Sequence, residues 1–81
     1  MANIDNIQTF TVMAYRGKDY YPCYERSFKT RRGATNHAKK MAAQFPFVKV
    51  VREELYECGM ELAQPILKID RGEIILNRRA A

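Results

Sequence analysis

Eighty-one residues with a formal charge of +5 are enough for one domain and too few for two independent cores. The chain has no 18-residue apolar stretch, so no span is expected, and its first residues, Met1 to Asn6, lack the basic flank and apolar run of a signal peptide. Two cysteines, Cys23 and Cys58, suit a reducing compartment as free thiols better than a disulfide framework, so the expected location is cytoplasmic.

The charge is segregated. Residues 16–40 carry Arg16, Lys18, Arg26, Lys29, Arg31, Arg32, Lys39 and Lys40 against Asp19 and Glu25, a balance of +6. Residues 49–61 carry Lys49 and Arg52 against Glu53, Glu54, Glu57 and Glu61, a balance of −2. Such a distribution produces a local field that attracts anions or acidic surfaces and says nothing of catalysis.

Residues 1–6 read as a flexible arm. From Gln8 to Tyr15 the alternation of Phe10, Val12 and Ala14 predicts a half-buried strand. Arg16-Gly17-Lys18-Asp19 reads as a turn, and Tyr20 to Phe28 as the second strand of a hairpin, with Pro22 restricting it to an edge or a bulge. Thr30 is placed to cap a helix from Arg31 to about Phe45, ended by Pro46. Its stripe is Ala34, His37/Ala38, Met41 and Phe45, small enough for close packing on a sheet.

Phe47 to Leu55 is rich in β-branched residues and reads as a third strand, prolonged towards Gly59, with a helix over 52–62 as the competing reading. Met60 to Pro65 reads as a connection. Ile66 to Leu76 predicts a hairpin turning at Arg71-Gly72, and 77–81 a short basic tail. The expected class is α+β: a mainly antiparallel sheet with one helix on one face, in the order ββαβ plus a C-terminal hairpin, without a sheet order. The expected core is Phe10, Val12, Phe28, Met41, Phe45, Val48, Val50, Leu55, Ile66, Leu67, Ile69, Ile74, Ile75 and Leu76.

No catalytic constellation emerges, and no enzyme activity or cofactor is expected. Cys23, His37 and Cys58 are too dispersed for a zinc pattern, so no metal is expected. Glu53, Glu54 and Glu57 read as carboxylates of a solvated face, and neither glycine turn forms a phosphate loop. The distinctive feature is Arg31 and Arg32 in the first helical turn, where the free amides already present positive charge. Gly33 leaves that backbone uncovered. A helix start of this kind suits an external anion. The candidate contact residues are therefore Arg31, Arg32, Lys29, Lys39, Lys40, Arg26 and Arg16, with Tyr15, Tyr20, Tyr21 and Tyr24 as stacking or interface residues.

The segment Gly17-Lys18-Asp19-Tyr20 through Ser27-Phe28-Lys29-Thr30-Arg31-Arg32-Gly33-Ala34 loosely resembles the arm-type DNA-binding domains of tyrosine recombinases and the three-stranded AP2 domains. That resemblance implies DNA reading from the sheet, by Met13, Tyr15, Arg16, Tyr20 and Arg26. The Glu-rich third strand and the terminal hairpin depart from that pattern. Two functions follow as expectations. One is a small non-catalytic protein, an inhibitor or regulator of the kind viruses and plasmids encode, that docks its basic patch on an acidic protein surface. The other is a nucleic-acid-binding module built on residues 16–40. The complementary acidic face at Glu53–Glu61 also allows a homodimer.

Overall fold

The computed structural model describes residues 7–17, 20–56, 59 and 61–78; the expected arm and most of the basic tail lie outside them. The elements are β1 (Ile7–Tyr15), β2 (Tyr24–Phe28), α1 (Arg31–Met41), β3 (Phe47–Leu55), β4 (Glu61–Asp70) and β5 (Glu73–Asn77). The five strands form one sheet in the order β2-β1-β3-β4-β5, antiparallel at every pairing. Because β2 and β3 flank β1 and both oppose it, α1 is a crossover that lies over β1. This is the expected α+β architecture. Among the described residues, no helix is long and apolar enough to cross a membrane.

The register explains the core. Val12 stands opposite Val50 and Ala14 opposite Val48, and Val50 and Val48 stand opposite Leu67 and Ile69 on the next strand. Directly opposed residues share a face, so all of these side chains point to the helix. α1 answers with Ala34, Ala38 and Met41, all buried. Two alanines in the contact stripe let the helix axis approach closely, and a larger residue at Ala38 costs about 1–3 kcal/mol through overpacking.

Local chemistry sets the helix ends. Thr30 is extended (φ −124°, ψ 149°) and its Oγ1 accepts a hydrogen bond from the Gly33 N–H at 3.1 Å, the usual N-cap geometry. Gly33 is half-buried. A Cβ there would lie 3.0 Å from Thr30 Oγ1 and 3.4 Å from Phe28 Cδ2, so close approach to the cap and to β2, rather than an uncovered backbone, accounts for the glycine. The helix stops at Met41, short of the expected Phe45. The Gln44 and Phe45 N–H groups both turn back to the Met41 carbonyl, and Phe45 precedes a proline that disfavours helical geometry.

The remaining corrections share one cause, the extent of each ladder. β2 begins at Tyr24 rather than Tyr20, after a bend in which the Cys23 N–H reaches the Ala14 carbonyl at 2.8 Å. β3 ends at Leu55, and the described residues of 52–62 hold strand and no helix. Residues 61–65 are strand, not connection. Pro65 pairs with Val51 where the β3–β4 register shifts, a bulge of the kind that accommodates a missing proline N–H. Asn77 belongs to β5, and the Arg78 N–H bonds the Ile66 carbonyl at 2.7 Å, which ties the start of the expected tail to the sheet. The turn at Arg71-Gly72 has φ of 53° and 83°, as a two-residue hairpin demands. Arg71 is held there by its N–H bond to the Pro46 carbonyl at 2.7 Å.

Three expected core residues are exposed: Leu55, Ile74 and Ile75. The helix packs on β1, β3 and β2, so the β5 edge and the far end of β3 lie beyond its cover. Phe28 and Phe45 are half-buried, packed against the core from its rim.

Candidate functional site

Part of the basic block lies where α1 borders the edge strand β2. Tyr24, Arg26 and Phe28 alternate along β2 and share the helix-side face, through their pairing with Ala14, Val12 and Phe10. His37 projects from the helix flank between the two rings. It lies 5.6 Å from Tyr24 and 5.2 Å from Phe28, centroid to centroid. Phe45, just past the helix, stacks on the other side of Tyr24 at 6.4 Å. The result is a row of four rings, Phe45–Tyr24–His37–Phe28, lying between helix and strand.

An arginine caps each end of that row. The Arg16 guanidinium is 5.6 Å from the Phe45 centroid, and that of Arg26 is 5.0 Å from the Phe28 centroid, both within cation–π range. Stacking uses the face of the guanidinium and leaves its edge N–H groups available to an acceptor. Tyr24 Oη and His37 Nε2 are 2.7 Å apart, and either can donate. Burial of the imidazole, followed by the nearby charges of Arg26 and Lys40, lowers the His37 pKa, so the ring favours its neutral form. The sequence expectation of a histidine beside the apolar stripe is met, with a phenol as its partner.

Arg32, Lys39 and Lys40 are exposed on the outer surface of the helix, and Lys29 is exposed just before the Thr30 cap. Lys39 and Lys40 lie in the last turn, where positive charge complements the helix dipole. Among the described residues the one ion pair is Arg52–Glu54, at 3.3 Å. No described carboxylate therefore neutralises Arg16, Arg26, Lys29, Arg32 or Lys40 on this flank, while Lys39, also unpaired among the described residues, lines a cleft towards Ile69 and Ile74.

Arg31 is placed differently from Arg32. Its guanidinium lies 5.8 Å from the Phe10 centroid, and its Nη1 donates to the Arg78 carbonyl at 2.7 Å. This arginine fastens the helix start to the end of β5, and the carbonyl oxygen supplies an internal partner at the electropositive helix end. The tyrosines also divide. Tyr20 and Tyr21 are 86% and 76% exposed, edge to face at 5.1 Å, in the bend before β2. Tyr24 belongs to the aromatic row. Tyr15 is buried on the opposite face of the sheet, against Phe47 at 5.7 Å and beneath the Lys49 ammonium at 5.5 Å, so it is not part of the basic surface.

The acidic block sits at the other end of the sheet, and two of its members are more than solvated charge. Glu54 is 9% exposed; it accepts from Gln8 Nε2 at 3.1 Å and Tyr56 Oη at 3.4 Å, besides its pairing with Arg52. Glu53, on the opposite face, accepts from Thr11 Oγ1 at 2.7 Å, and Thr11 also meets Ser27 Oγ at 3.0 Å. Strand alternation sends the two glutamates to opposite faces, and each finds donors on β1, which corrects the solvated-face reading. Glu57 and Cys58 lie outside the described residues; Cys23 is an exposed free thiol.

The row of rings carried two sequence signals, the alternation of Tyr24, Arg26 and Phe28 and the placement of His37 beside the helix stripe. What sequence could not supply was that the two stripes face each other. Comparison of the chain with protein-family models, with curated proteins and with solved structures gave no match.

Proposed function

We propose that this chain is a non-catalytic binding protein that docks the basic surface of α1 and β2 onto an acidic surface of another protein, and so inhibits or regulates it in the cytoplasm. One observation carries the reading: Arg16, Arg26, Lys29, Arg32 and Lys40 lie about one flank with no described carboxylate in ion-pair contact. A surface that concentrates one charge steers and orients an oppositely charged partner. The half-buried rings beneath Arg16 and Arg26 hold those side chains in place, which lowers the ordering cost of binding. The exposed thiol of Cys23 fits a reducing compartment.

Nucleic acid is the alternative, and Tyr20 and Tyr21 beside Arg16 are the residues it would use for stacking. The protein reading is preferred because the rings of the row stack on one another and lie against arginines, so bases would find open rings only at Tyr20 and Tyr21. The experiment is an NMR titration of the labelled protein with a glutamate-rich peptide and, separately, with duplex DNA at several salt concentrations. The expected result is that the peptide shifts amides of α1 and β2 and binds with a shallow salt dependence. Tighter binding of DNA, with a log–log salt slope of about −0.9 per phosphate neutralised, would replace this reading with the alternative.

A further inference from the structure

The outer edges of the sheet are chemically unlike. β2 is short, follows Pro22, and carries Glu25 and Arg26 within it, the features with which natural edge strands resist pairing. β5 has neither charge nor proline between Glu73 and Arg78, only Ile74, Ile75, Leu76 and Asn77. Ile74 and Ile75 are 47% and 55% exposed. Among the described residues no strand lies beyond β5, and α1 packs on the other half of the sheet. An apolar, uncovered edge of this kind is a template for another strand.

We infer that β5 pairs antiparallel with β5 of a second copy about a two-fold axis, joining two sheets into one. The ends of β5 are opposite in charge, with Glu73 its first residue and Arg78 just after it. An antiparallel copy brings each acidic end beside a basic end, whereas a parallel copy would oppose like charges. The two-fold makes each apolar contact twice and matches apolar residues with apolar ones. The basic surface does not oppose this union. Apart from Lys39, which lines the cleft beside this edge, it lies over β2 and β1, with β3 and β4 between it and β5, and strands spaced about 4.8 Å apart put those parts of the two basic surfaces beyond a screening length of about 8 Å. A cleft lined by Lys39, Ala42, Ala43, Ile69, Gly72 and Ile74 borders the same edge on the helix side and offers an apolar floor to side chains of the copy. An axis perpendicular to the sheet leaves both helices on one side, so the dimer presents both basic surfaces in the same direction. The inference stands independently of what those surfaces bind.

Analytical ultracentrifugation of the full chain from micromolar to millimolar concentration tests it. The wild type is expected to pass from one chain to two as concentration rises. Ile75→Lys changes an exposed side chain, so its circular dichroism should match the wild type while dimerisation weakens by about tenfold or more. A β2-edge variant, Ser27→Lys, should dimerise as the wild type does. A wild type that stays a single chain up to millimolar concentration overturns the inference. So does a dimer that survives Ile75→Lys, or one that Ser27→Lys dissolves.

Discussion

The part of the sheet beneath α1, which includes Leu67 and Ile69 of β4, and the β5 edge end up with different surfaces. Beneath the helix, Phe10, Val12, Ala14, Val48 and Val50 are buried, and the rim is closed by half-buried rings with arginines stacked at either end. Beyond the helix, the neighbouring Ile74 and Ile75 stay exposed. At the far end of β1 and β3, Glu54 occupies the helix-side face with its own set of donors. One crossover helix can cover about half of a five-stranded sheet, and the uncovered part is stabilised by cross-strand polar contacts or left as an edge.

The largest expected effect separates the two regions directly. Phe10→Ala, which removes a buried ring and the stacking surface of Arg31, should cost about 3–5 kcal/mol. Ile75→Ala, measured at a concentration where the protein is a single chain, should cost less than about 1 kcal/mol. Urea denaturation of both variants measures the contrast, and equal losses would mean that the β5 edge is as well packed as the helix-covered core.

Next in size is the polar network of the uncovered end. Glu54→Ala removes the acceptor of Gln8, Tyr56 and Arg52 at a nearly buried position and should cost about 1–3 kcal/mol. A loss within experimental error in the same denaturation assay would return Glu54 to the status of a solvated charge.

A smaller effect tests the aromatic row through pH. The folded-state pKa of His37 lies below its ordinary value of 6.5, so the unfolded chain binds the proton more readily. The stability contributed by the neutral ring is present above about pH 6.5 and declines as pH falls from there towards the folded-state pKa. Thermal melts across that interval should show wild-type stability falling with pH relative to a His37→Gln variant. A constant difference between the two would mean that the imidazole titrates as in a free chain.

The helix and the strands beneath it were legible because their signals are local. Thr30, the alanine stripe and Pro46 mark α1, and alternation marks β1 and β3. What was not legible depends on partners distant in sequence. Arg31 reads as an arginine awaiting an external anion until the Arg78 carbonyl, brought to it by β5, is seen. Pro65 argues against a strand until the bulge opposite Val51 is found. Ile74 and Ile75 look like core because an apolar run reports side-chain character, not whether anything covers it. Of the candidate contact residues, those on the flank between α1 and β2 come together in space, whereas Arg31 and Tyr15 are held by internal contacts.

The central claim is that the flank of α1 and β2 binds an acidic partner, and a charge-reversed helix tests it most directly. Arg32 and Lys40 are both exposed. Reversal at the first turn gains about what reversal at the last turn loses, roughly 0.3–1 kcal/mol each, so Arg32→Glu/Lys40→Glu should fold with unchanged stability. The control is Lys49→Glu/Lys68→Glu, a cross-strand pair on the opposite face of the sheet, with the same change in net charge. Isothermal calorimetry with the glutamate-rich peptide should show binding weakened by at least about a hundredfold in the helix variant, some 2.7 kcal/mol, and far less in the control. Equal weakening in both variants would show attraction by net charge alone, and undiminished binding in the helix variant would remove this flank from the site.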